Sequence, residues 1–179
     1  MELSGDDARG ILDATKRLVA VGAWSTSNNR GACATPVSFA ARVATDGVLA
    51  RGVWFRARTI PQYPHRASFQ LDIEQPGVRG HIPLFRLEWH PPSFHKNGPY
   101  GPPEWRNRFI EAGVTHAHSC LDHLDDVTGM LRLGGVQTAR IVNSDFVTYD
   151  EALAWICDRL KVLNAGDIPP PPLQGELQM

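Results

Sequence analysis

Apolar residues recur along this chain at two periods. Between Val37 and His90 the period is two: Val37, Phe39, Ala41 and Val43 alternate with small or polar residues. Phe69, Leu71 and Ile73 alternate with Gln70, Asp72 and Glu74, and Phe85, Leu87 and Trp89 with Leu84, Arg86, Glu88 and His90. Side chains of a strand alternate between its faces, so this pattern predicts half-buried antiparallel strands. They span Val37–Ala44, Val48–Thr59, Ala67–Glu74 and His81–His90. Asp46-Gly47 supplies the positive φ angles of a type I′ hairpin turn. Pro61 and Pro64 close the second strand, and Pro76-Gly77 makes a further turn. Towards each end the period lengthens to that of a helix. Ala8, Ile11, Leu12, Thr15, Leu18 and Val19 predict a helix over Ser4–Val21, with Ser4 and Asp7 as a capping box and Gly22 as its stop. Ala152, Trp155, Ile156, Leu160 and Leu163 predict another over Thr148–Leu163, capped by Thr148 and Glu151.

The fold class expected is α+β: an antiparallel four- to five-stranded β-meander with the N-terminal and C-terminal helices packed on one face. Residues 1–166 form one domain, and the Pro-rich tail 167–179 reads as disordered. Residues 23–36 form a polar connector with a turn at Asn28, Asn29 and Gly31. Five prolines between Pro91 and Pro103 predict a loop, followed by a short helix over Pro103–Ala112. Residues 113–121 fit either a strand, which puts His116 and His118 on one face, or the approach to a helix through CLDHLDDVTGMLR. A turn at Leu133–Gly135 and a short strand over Thr138–Asn143 follow.

Composition narrows the class. No apolar run reaches the length of a membrane span, and the first residues lack a basic segment followed by an apolar one. The three cysteines, Cys33, Cys120 and Cys157, form no CxxC pair, which suits a reducing compartment; a cytoplasmic protein without membrane partners is the expectation. A lone Cys33 without a local signature reads as inert. Net charge is −1, yet Arg42 to Arg108 carries ten basic residues against five acidic, and the chain beyond it four against ten. A basic middle suits an anionic ligand, or pairing with the acidic end.

The titratable chemistry is concentrated between Trp89 and His123, where five of the seven histidines lie. Arg86, Glu88 and His90 fall in line on the polar face of one strand. Two histidine groups flank a loop carrying Lys96, Tyr100, Trp105, Arg106 and Arg108. Histidine titrates near neutrality and can act as both acid and base, while arginine and lysine stabilise a phosphorane. Cleavage of RNA by its own 2′-hydroxyl needs those parts. His90 with His116 or His118 would be acid and base, and Glu88 would orient them. Arg86, Lys96, Arg106 and Arg108 would hold phosphate, with Tyr100 and Trp105 stacking bases. No cofactor is required by that scheme. The alternative is a metal-dependent hydrolase with His116, His118 and His123 as ligands and Asp122, Asp125 or Asp126 beside them. The His-x-His pair fits neither the amidohydrolase nor the JAMM protease pattern. His118, Cys120 and Asp122 are too close in sequence to make a nucleophilic triad. A further alternative is a non-enzymatic factor of a phage or mobile element that binds a host protein through its exposed aromatics.

The segments LEWHPP, SFHKNGP, VTHAHS and SDFVTYDEALAWICDRL resemble small uncharacterised bacterial families, including toxins of the TumE-like kind. In these, a Trp-containing strand leads into a His-rich, Gly/Pro-rich loop and a closing helix. The resemblance covers the middle and end of the chain and leaves the N-terminal helix unmatched. It implies a toxin-like or mobile-element protein acting on RNA, with a protein partner such as an antitoxin, and identifies no substrate.

Overall fold

A computed structural model describes residues 3–26, 35–74, 80–125, 127–131, 136–144 and 146–172. Cys33, Asp126, the turns at Asn28–Gly31, Pro76-Gly77 and Leu133–Gly135, and the end of the tail from residue 173 lie outside the described residues.

The chain runs α1 (Gly5–Asp13), β1 (Lys16–Val19), β2 (Ser25–Thr26), β3 (Val37–Thr45), β4 (Val48–Ile60), β5 (Tyr63–Glu74) and β6 (His81–Trp89). It continues with β7 (His95–Lys96), a 3-10 turn at Pro103–Trp105, β8 (Phe109–Ile110), β9 (His116–Ser119), a second 3-10 turn at Cys120–His123, β10 (Ala139–Ile141) and α2 (Tyr149–Arg159). The class is α+β, and the sheet is larger than the pattern suggested. Among the described residues it has eight antiparallel strands, ordered β1-β3-β4-β5-β6-β9-β10 with β2 paired to β3. The Asp46-Gly47 hairpin forms as expected, with φ of 49° and 82° at the two positions. Thr45 and Val48 close it as a two-residue loop.

The predicted N-terminal helix is corrected. It ends at Asp13 with Ala14 extended, and Leu18 and Val19 belong to strand β1. Its apolar periodicity ran on by coincidence, because Lys16 and Leu18 turn inward as alternate residues of an edge strand. The expected helix over Pro103–Ala112 is likewise only a single 3-10 turn followed by β8. Both capping boxes are present, Ser4 with Asp7 and Thr148 with Glu151. Each satisfies helix N–H groups that have no partner within the helix.

One face of the sheet is apolar, with Phe39, Phe55, Phe69, Leu71, Leu87 and Trp89 fully buried. Ala8 and Leu12 of α1, Ala152 and Ile156 of α2, and Leu160 just past the end of α2 join the same core. Leu84, expected on the outer face, is also buried: a bulge opposite Leu71 and Asp72 leaves it as the extra residue. The packed chain runs past residue 166, since Ile168 is buried and the Trp24 indole N–H donates to the Pro169 carbonyl at 2.8 Å. Among the described residues no helix is long and apolar enough to cross a membrane.

Candidate metal centre and adjoining groove

The opposite face of the sheet is polar, and its register sets the site. Glu88 lies directly across from His116, and Arg86 from His118. Residues opposite one another in an antiparallel pair project to the same side. Two rows therefore cross the sheet. One runs Ser38, Arg58, Ser68, Glu88, His116; the other runs Ala40, Arg56, Gln70, Arg86, His118.

A third histidine comes from the loop. Its short hairpin of β7 and β8 is tied down by Asn97, whose side-chain amide donates to the carbonyls of Trp105 and Ala139 at 2.8 and 2.9 Å. The Asn97 side-chain oxygen accepts from the Ala139 N–H at 2.7 Å, so Asn97 pairs with the free edge of β10. His95 is thereby held against His116 and His118. The three ring centroids stand 5.4, 4.9 and 5.1 Å apart, and one nitrogen from each lies within 4.8 Å of the other two. Asn97→Ala leaves both polar groups of Ala139 unpaired in a buried position. The expected loss is about 2–3 kcal/mol, read by urea unfolding together with faster amide exchange at Ala139.

The hydrogen bonds fix which nitrogens face inward. His116 Nδ1 lies 2.9 Å from the Val114 carbonyl and His95 Nε2 lies 2.8 Å from the Gln137 carbonyl. A carbonyl only accepts, so both nitrogens must donate. This leaves the His116 Nε2 and His95 Nδ1 lone pairs free for another partner. Histidines that ligate metals are oriented in this way, with the second ring nitrogen donating to a carbonyl. His118 is 1 % exposed, and neither of its ring nitrogens has a hydrogen-bond partner. Burial, reinforced by Arg86 and the imidazoles of His116, His95 and His123, pushes its pKa down to about 2. Burial lowers that of His116 as well. Both are held as neutral imidazole, the form that binds a metal.

Glu88 stands beside the triad. Burial pushes its carboxyl above the usual carboxylate range, against the pull of Arg86 and a hydrogen bond from Ser68. Arg86 Nε is 3.1 Å from a Glu88 oxygen but is not angled to donate to it, so the two form an ion pair without a hydrogen bond. Arg86 and Glu88 also line a groove of about 690 Å³ that runs over the polar rows of β3 to β6. Its remaining cations among the described residues are Arg56, Arg58 and Arg66.

Of the residues singled out from sequence, His116, His118, Glu88 and Arg86 come together. His90 does not join them. The strand ends at Trp89, and His90 turns into the left-handed region at φ 45°, its ring beside those of Trp89 and His65. His123 is drawn elsewhere, since its Nε2 accepts the backbone N–H groups of Gln137 and Thr138 at 2.9 and 2.7 Å. The loop cations and aromatics lie outside the groove. Lys96 is exposed opposite Phe109, Arg108 stacks over Trp105, and Arg106 donates to the Gly101 carbonyl. Tyr100 and Arg106 line a smaller hollow with Asp122. Asp122 is ion-paired with Arg140, and Asp125 accepts from the N–H groups after it. The alternation on β4 that puts Arg56 and Arg58 on one face was visible in the sequence, but their neighbourhood with Arg86 needed the register. His95 carried no local signal beyond being a histidine.

Comparisons of the chain with family models, curated proteins and solved structures found no match.

Proposed function

We propose that the chain is a metal-dependent hydrolase whose ion is held by His95, His116 and His118. The observation that carries this reading is the buried His118, with neither ring nitrogen satisfied, beside two imidazoles whose lone pairs are left free by their carbonyl partners. A buried ring nitrogen left without a partner, as both of His118 are, costs about 1–3 kcal/mol. Imidazole ligands suit zinc and its neighbours among the transition metals. Three protein nitrogens leave a fourth position for water, the arrangement of catalytic rather than structural zinc. The ion would supply Lewis acidity there. Glu88, opposite His116 on the neighbouring strand, would take a proton from water, and Arg86 would steady charge developing on the substrate.

This reading takes the place of the cofactor-free scheme, in which His90 and His118 act as acid and base. A histidine as deeply buried as His118, and held neutral, is a poor proton donor. The toxin-like, RNA-directed role survives in it as a proposal about the substrate.

The test is metal analysis of the purified full-length chain by inductively coupled plasma mass spectrometry after dialysis against zinc. One ion per chain is expected. His95→Ala, the least buried of the three positions, should lose it while keeping the circular dichroism of the wild type. His90→Ala and Lys96→Ala should retain it. An absence of metal in the wild type, or full occupancy in His95→Ala and His116→Ala alike, overturns the proposal. The stacked and exposed pair Phe94 and Phe109, with centroids 4.8 Å apart, would then favour the interaction-protein reading.

A further inference from the structure

We infer that the groove over β3 to β6 binds a phosphate ester, with Arg58 and Arg66 as the groups that hold the phosphate. This rests on the hydrolase reading and names the substrate class for the groove that adjoins the three histidines through Arg86 and Glu88.

The charges in the groove are unequal in what they have left to offer. Arg56 is spent on the fully buried Asp72, which it meets at 2.9 Å, and Arg86 is ion-paired with Glu88. Arg58 and Arg66 have no carboxylate within ion-pairing distance among the described residues. Arg58 is exposed and senses Glu88 only at a distance, and Arg66 lies over the ring of Tyr63 at 5.0 Å. Among the described residues the groove thus has four arginines against one glutamate, with two guanidinium groups unspent. A guanidinium presents a planar fork of donors that matches phosphate oxygens. Ser38 adds a hydroxyl in the same row as Arg58, while the Ser68 hydroxyl is engaged with Glu88.

Position favours an ester over free phosphate. Arg58, Ser68, Glu88 and His116 occupy four successive strands, each step about 4.8 Å, so the row spans about 14 Å. A cavity of about 690 Å³ is the size of a nucleotide-class ligand rather than a single anion. A phosphate held at Arg58 and Arg66 leaves the Glu88 end of the row for the group that reacts. In the hydrolytic step a water oxygen forms a bond to the phosphorus of a second ester group, the one at the Glu88 end, and its ester P–O bond breaks. One water proton passes to Glu88, and the departing oxygen leaves as an alcohol after taking that proton. The products are the alcohol and the shortened phosphate, with no change of oxidation state.

The experiment is titration calorimetry on the full chain with a nucleoside monophosphate and, separately, a single-stranded oligoribonucleotide. Metal content is measured on the same samples. Arg58→Glu and Arg66→Glu should each weaken binding about tenfold or more, and the pair should abolish it, while the ion stays at wild-type occupancy. His95→Ala should lose the ion and still bind the ester. Equal affinity for both ligands assigns the site to a terminal phosphate. Tighter binding of the strand, with log K falling against log salt at a slope of about −1.4 that vanishes in the double variant, assigns it to two phosphates of a chain. Binding unchanged in the double variant, or absent from the wild type at low salt, overturns the inference even if the metal is present. Binding without metal leaves the groove assignment standing and sinks the hydrolase reading instead.

Discussion

Replacing Lys16 by methionine lowers the stability of the fold by about 3–5 kcal/mol, the lower part of the range for three carbonyls that each lose a donor at about 1–3 kcal/mol. Lys16 is 0 % exposed. Its ammonium donates to the carbonyls of Leu12, Ala14 and Leu160 at 3.0, 2.7 and 2.9 Å. These carbonyls end α1 and α2, where helix oxygens have no partner within the helix and the dipole is negative. One side chain therefore caps both helices from the edge strand. The backbone repeats the tie, since Lys16 N–H donates to Lys161 and its carbonyl accepts from Leu163. Methionine keeps the apolar stem and removes the three donors. Urea unfolding should show a lower midpoint with an unchanged slope, and the melting temperature should fall by about 6–20 °C. A loss under about 1 kcal/mol would mean that water replaces the ammonium, which its burial argues against.

Lys16 also marks where the sequence could be read and where it could not. The Asp46-Gly47 turn, the two capping boxes and the alternation of β3 to β6 are local signals, and each formed. The end of α1 is not local. Ala14 leaves the helix because Lys16 finds the carbonyls of two helices, one of them contributed from 144 residues along the chain. The site divides in the same way. His116 and His118 sharing a face follows from period two, as does the pairing of Arg86 with Glu88. That these two pairs adjoin is a matter of register between β6 and β9. His95 joins them only because Asn97 and the Gln137 carbonyl, 42 residues from their partners, pin the hairpin to β10. His90 misled for the opposite reason. It continues the alternation of β6 on paper, but the strand ends one residue earlier and turns its ring away.

Zinc should raise the melting temperature of the wild-type chain, and a chelator should return it to the metal-free value. A ligand that binds only the folded state stabilises it by about 2.7 kcal/mol at a hundredfold excess over its dissociation constant. For a chain of this size that corresponds to a rise of about 5–11 °C. The increase has a structural source. An ion taking one nitrogen each from His95, His116 and His118 would bridge the loop hairpin to β9 and give one of the two unpartnered nitrogens of His118 a partner. Magnesium, which prefers oxygen ligands, should leave the melting temperature where it is. His95→Ala should remove the response to zinc while costing little in metal-free stability, because that ring is half-exposed and makes one hydrogen bond to a carbonyl. A wild-type melting temperature unmoved by zinc, or moved equally in the variant, would show that the three imidazoles do not act together on an ion.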